Sequence, residues 1–120
     1  MSMSSTAHFL DTFANVQRNV HESSKEHGFW DPANGPDNVS VPTKLCLIHS
    51  EVSEALEAYR KGNPPSEKCP EHSQIAEELA DLFIRGMDLA EHLRIDLGRA
   101  ILAKAEYNRG RPHLHGGKKC

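Results

Sequence analysis

Two pairs of acidic residues, Glu51-x-x-Glu54 within HSEVSEALEAYRKG and Glu78-x-x-Asp81 within IAEELADLFIRGMDLAEHL, constrain this chain more than any other feature. The i, i+3 spacing puts both carboxylates of a pair on one face of an α-helix, about one turn apart. Acids so spaced commonly just face solvent, because glutamate is a good helix former. Here the apolar stripe runs beside the acids rather than opposite them. Ile48, Val52, Ala55 and Leu56 flank Glu51, and Ile75, Leu79, Leu82 and Phe83 flank Glu78 and Asp81. Acids at the margin of a buried stripe lie near a helix seam, where four like charges repel unless a cation sits among them. If the two helices pack antiparallel, Glu51, Glu54, Glu78 and Asp81 converge on a hard, oxygen-rich site suited to Mg²⁺, with Mn²⁺ as a substitute.

Apolar residues recur at helical spacing in four segments. The first runs from about Thr6 to His27, with Phe9, Phe13, Val16 and Val20 inward, Ser5 or Thr6 as its cap and Gly28 as its end. The second starts with Pro42 at its first position and reads to about Lys61, stopped by Gly62 and Pro64-Pro65, with Leu45, Ile48, Val52, Leu56 and Tyr59 as its stripe. The third runs from about Ser73 to Leu93, with Ile75, Leu79, Leu82, Phe83, Met87 and Ala90 inward, and Gly86 in its middle predicts a close helix crossing. Asp96 caps a fourth, from Leu97 to about Arg109. These segments predict an all-α, four-helix-bundle-like domain over residues 1–111 and a polar, loosely ordered tail over residues 112–120. The connection from Gly62 to about His72 is polar and Pro-rich, a surface loop expected to be mobile.

Composition removes several classes of function. A formal net charge of −3 argues against a general nucleic-acid binder, and the basic residues gather instead near the C-terminus, from Arg94 to Lys119. No stretch approaches the ~20 apolar residues needed to cross a bilayer, and the start MSMSSTAHF lacks the pattern of a signal peptide, so a cytosolic protein without a membrane partner is expected. Cys46, Cys69 and Cys120 are odd in number and irregularly spaced, which argues against a disulfide framework, and Cys46, in an apolar run, is expected to be buried. Cys69 and His72 with His113 and His115 lack a second close cysteine pair and read as ordinary loop residues rather than a zinc site. None of the eight histidines has Glu three residues before it, as a di-iron carboxylate bundle would need.

The two acid pairs, followed in order by IDLGRAILAKAEYNRGRP with Lys104, Asn108 and Arg109 in a K-x-x-x-N-R pattern, resemble the MazG-like, all-α nucleoside triphosphate pyrophosphohydrolases. The resemblance covers about Lys44 to Arg111 and, more loosely, the first helix. It implies hydrolysis of a nucleoside or deoxynucleoside triphosphate to the monophosphate and pyrophosphate, and assembly as a homodimer or homotetramer. On that footing Glu51, Glu54, Glu78 and Asp81 are the catalytic and metal-binding set. Lys104, Arg109 and Arg85 clamp phosphate oxygens, and Asn108 bonds phosphate or sugar. Arg85 is i+4 from Asp81 and alternatively makes a plain ion pair with it. Several family members carry an aromatic at this place, which leaves the base preference open. In the Gly- and Pro-rich loop GFWDPANGPDNVSVP, Phe29 or Trp30 either anchors the loop on the bundle or stacks on the nucleobase, with His27 assisting. Asp88 is expected in solvent, and so is Lys44, unless it reaches a phosphate. The competing reading is a non-catalytic helical nucleotide-binding or interaction module of the same fold.

Overall fold

Short polar side chains set where the helices begin. Ser2 Oγ accepts the Ser5 N–H, Ser40 Oγ the Thr43 N–H, Ser73 Oγ the Ala76 N–H and Asp96 Oδ1 the Arg99 N–H, so each long helix starts with one otherwise orphaned donor satisfied. The computed structural model describes residues 1–119; Cys120 and the His115 side chain lie outside the described residues. The helices are α1 (Met3–Glu26), α2 (Val41–Arg60), α3 (Gln74–His92), α4 (Leu97–Arg109) and a single turn, α5 (Leu114–Gly117). The fold is all-α, with no strand among the described residues. Each expected helix is present within a turn of its expected bounds, although α1 is capped by Ser2 rather than by Ser5 or Thr6.

The central rod is α3. Along α2 the contacts run backwards against it: Lys44 lies near Asp88, Glu51 pairs with Arg85, and Asn63 just beyond α2 accepts the Ile75 N–H. The two helices are therefore antiparallel. On the other side, Gln17 donates to Glu91 Oε1 and to the Ile95 carbonyl, both at 3.0 Å, while Ser24 Oγ donates to Asp88 Oδ2 at 2.8 Å, which makes α1 antiparallel to α3 as well. Against α1 lies α4, at Gly98, where an added Cβ would sit 3.4 Å from Leu10 and Phe13. The close crossing expected at Gly86 is here instead, because nothing lies within 4 Å of a Cβ built on Gly86.

Two connections are tied down by hydrogen bonds. Gly28, at φ 84°, turns the chain out of α1, and Asn34 and Asn38 both donate to its carbonyl, folding the following loop back through two short 3-10 turns, Pro32–Asn34 and Pro36–Val39. The α2–α3 connection, expected to be mobile, is braced. Ser66 is 2% exposed, donates to Glu77 Oε1 at 2.5 Å and accepts the Cys69 N–H, while the Ser66 N–H donates to the His72 carbonyl and Gln74 N–H to that of Pro64.

The core is thin. Ala58, Leu89 and Ala90 are the buried apolar residues among those described, whereas Leu45, Val52, Leu56 and Tyr59 of α2 and Leu79 and Phe83 of α3 are exposed, and so is Cys46. The correction has a geometric cause. Each stripe is broader than the contact that a single neighbour can cover, so α2 and α3 meet along the edge that carries the acids and leave the rest facing outward. The accessible surface is 8878 Å², roughly a third above the ~6,500 Å² of a self-sufficient chain of this mass.

The two glycines on helices have opposite surroundings and so opposite expected responses. Gly86→Ala should stabilise the protein by about 1 kcal/mol, because helix propensity improves and nothing is displaced. Gly98→Leu should lower the melting temperature, because its side chain must enter the space held by Leu10 and Phe13. Urea unfolding and thermal melts, each followed by circular dichroism, check the two in turn.

Candidate active site

The i, i+3 spacing within each acidic pair sets what the seam between α2 and α3 brings together. Oxygens of Glu51, Glu78 and Asp81 all lie within 4.8 Å of one another, with Glu51 and Glu78 each 8% exposed. Burial pushes the Glu78 carboxyl up to about 7, and hydrogen bonding and repulsion shared with Glu51 and Glu77 add to the rise. Burial also raises Asp81, helped by the charges of Glu51 and Glu77 and opposed by Lys68 and Arg85. In contrast, Ser66 Oγ donating to Glu77 holds that carboxyl below its usual value. Three hard oxygen donors this close, all on rigid helices, suit a small divalent cation. Glu54 is exposed and lines the same cavity without joining the group of three.

From the acids a cavity of about 1050 Å³ extends toward the α1–α2 loop. At its far end Asp88 is a hub. Its carboxylate accepts the Trp30 indole N–H at 2.9 Å and the Ser24 hydroxyl at 2.8 Å, and lies 2.7 Å from His21 Nδ1. Asp88 is thus largely enclosed, not solvated. Trp30 stacks on His92 at 4.0 Å between ring centres, and Lys44 Nζ sits 4.4 Å from the Trp30 ring centre while donating to the Phe29 carbonyl at 2.6 Å. Burial lowers the Lys44 pKa, and the Asp88 charge partly offsets that. Trp30 therefore anchors the loop, and the open aromatic face on the cavity is that of Phe29, 56% exposed.

The remaining sequence candidates divide between the cavity and elsewhere. His27 lines it, with Nδ1 2.7 Å from the Ser23 carbonyl. Arg85 lines it too, but its Nε donates to Glu51 Oε1 at 2.7 Å across the seam rather than pairing with Asp81 on its own helix. Lys104, Asn108 and Arg109 do not line it. They are exposed on α4, where Lys104 sits over the Tyr107 ring and Arg109 pairs with Glu106.

Comparison with known proteins finds similar sequences. The chain is 31% identical over 111 residues to dCTP pyrophosphatase 1 of Bos taurus, a match spanning 86% of this chain and 62% of the relative. It is 28% identical over 110 residues to the same-named protein of Rattus norvegicus and 31% identical over 103 residues to that of Homo sapiens. A span of 86% necessarily includes both acidic pairs. The chain is thus similar to these proteins over most of its own length. It covers less than two thirds of the relatives' own length. No family model matches it, and no solved structure does.

Sequence reasoning passed over two cavity residues. Lys68 reaches the acids from the α2–α3 connection, where no periodicity announces it. Asp88, one turn beyond Arg85, looked like any surface acid, and only its pairing with α1 shows its role.

The raised carboxyls give a pH signature. A group whose pKa rises from 4.5 to about 7 on folding binds more protons in the fold than in the unfolded chain, so stability is greatest below the unfolded value and falls as pH rises through the folded one. Glu77 acts in the opposite sense, but only below its usual carboxylate range. The melting temperature of metal-free protein should fall from about pH 5 to about pH 8, and Glu78→Gln should flatten that fall. A wild-type profile with no slope there would contradict the crowding of the three carboxylates.

Proposed function

We propose that the chain hydrolyses a nucleoside or deoxynucleoside triphosphate to the monophosphate and pyrophosphate, with Mg²⁺ or, in its place, Mn²⁺ held by Glu51, Glu78 and Asp81. The observation that carries the reading is the closeness of those three carboxylates at one end of a cavity whose other end is aromatic and cationic. The relatives' name makes deoxycytidine triphosphate the first substrate to try.

Bound there, the metal supplies charge neutralisation for the triphosphate and a water of lowered pKa. The protein's own groups do the rest. In this reading Glu54, which lines the cavity outside the crowded three, orients the attacking water and takes its proton. As the water oxygen bonds to phosphorus, the α–β phosphoanhydride breaks and pyrophosphate leaves. Arg85 and Lys68 lie where they can balance the charge that spreads over the phosphate oxygens. Phe29 offers the base an open ring face, with His27 beside it and Trp30 fixing the loop that carries Phe29.

Lys104, Asn108 and Arg109 belong to the same reading as phosphate and sugar contacts supplied in an assembled homodimer or homotetramer. The uncovered apolar face of α2 and α3 and the excess accessible surface support such an assembly. Work on nucleotide pools fits a cytosolic protein, and no described helix is long and apolar enough to cross a membrane.

Glu51→Gln and Asp81→Asn should each abolish Mg²⁺-dependent release of pyrophosphate while leaving the helical circular dichroism intact. Full turnover in either would refute the assignment. Lys104→Ala should raise KM for the triphosphate several-fold with a smaller change in kcat, as loss of a binding contact does. Steady-state assays on a panel of triphosphates measure both.

A further inference from the structure

We propose that Arg85 is a resident cation that competes with the divalent ion for Glu51 and gives Glu51 up to the ion when a triphosphate arrives to take the guanidinium, so that metal and nucleotide bind as one unit rather than independently. The proposal rests on the reading above, in which the acids hold a metal and the cavity a triphosphate.

The asymmetry of the Arg85–Glu51 pair is the starting point. The Glu51 side chain is 10% exposed and its oxygens are among the three crowded ones, whereas the Arg85 side chain is 41% exposed and lines the cavity. Glu51 is short and held in the seam. Arg85 is the partner that can swing. Among the described residues only its Nε–H is engaged, on Glu51 Oε1 at 2.7 Å, so the terminal nitrogens of the guanidinium have no protein acceptor. That unspent fork matches the paired oxygens of a phosphate.

A divalent ion coordinated by Glu51 would lie ~2.1 Å from a carboxylate oxygen. The guanidinium on the same carboxylate would then stand only a few ångströms from it, and two positive charges at that separation repel. Metal arriving alone must either tolerate Arg85 or turn it out into water without a partner. Metal arriving with a triphosphate meets neither penalty, because the phosphate oxygens take the guanidinium as it swings away and leave Glu51 to the ion. Lys68, the other cation that acts on Asp81, comes from the α2–α3 connection and makes no ion pair with Glu51 among the described residues. The competition is thus specific to Arg85. The result is positive coupling between the two ligands, reciprocal by thermodynamic necessity.

The test is direct binding, not turnover. Mn²⁺ is titrated into the full chain with and without α,β-imido deoxycytidine triphosphate, following free Mn²⁺ by electron paramagnetic resonance, for wild type, Arg85→Met and Arg85→Lys. Arg85→Met should bind Mn²⁺ alone on the order of tenfold more tightly than wild type, bind the analogue more weakly, and lose most of the gain in Mn²⁺ affinity that the analogue confers. Arg85→Lys keeps the charge without the fork, so Mn²⁺ alone should bind it as weakly as it binds wild type, while the analogue also binds weakly. Equal or weaker binding of Mn²⁺ alone by Arg85→Met, with helicity intact, would overturn the proposal while leaving the metal reading standing. If Arg85→Met loses its helices, Arg85→Gln is judged by the same criterion. Absence of Mn²⁺ binding in every protein, even with the analogue, would overturn the metal reading and this inference together.

Discussion

Carboxylates crowded into a seam between two helices push those helices apart, and the rest of this molecule is arranged to resist that push. Glu51 comes from α2, and Glu78 and Asp81 from α3. The hairpin is closed at its loop end by Asn63 accepting the Ile75 N–H and by Ser66 gripping Glu77. Across the middle, the Arg85–Glu51 bond joins the two helices directly and places one positive charge beside the three crowded carboxyls. At the far end Lys44 bridges toward the loop and toward Asp88. A group as expensive to bury as an ionised carboxylate is tolerated here because one side of the seam opens on a cavity.

Polar fasteners carry an unusual share of the specification. With so few buried apolar residues, the relative placement of α1 and α3 is set by Gln17 reaching Glu91 and the Ile95 carbonyl, and by Asp88 collecting Trp30, Ser24 and His21. Among the described residues no buried side-chain nitrogen or oxygen lacks a partner, so these contacts fix geometry without leaving an unsatisfied group behind. Their directionality suits a binding cavity, whose walls must hold position to within fractions of an ångström.

Helix identity was legible from the chain because it depends on local features, such as Asp96 ahead of an apolar repeat, or Gly62 and two prolines after one. Convergence of Glu51, Glu78 and Asp81 was legible too, since the i, i+3 spacing fixes which residues share a face. Glu54 shows the limit of that argument. A seam accepts only the acids at its very edge, and one turn further along α2 the carboxylate points into the open cavity wall. Periodicity gave the stripes on α2 and α3 but not which part of each stripe a single copy covers, so Leu45, Phe83 and Tyr59 were placed inside and lie outside. Contacts between distant segments, such as Asp88 with α1 or Gly98 with Phe13, have no signature in either segment taken singly.

The only tryptophan of the chain is clamped in that cavity wall, with an imidazole against its ring, an ammonium group near it and its indole N–H on a carboxylate. Each of these neighbours alters the emission of an indole, and they come from two elements, His92 and Asp88 from α3 and Lys44 from α2. Indole fluorescence of the unlabelled protein, excited beyond the absorption of Tyr59 and Tyr107, therefore originates from a single, known point. Any rearrangement of Lys44 or His92 as the cavity fills becomes an optical signal that needs no probe to be attached.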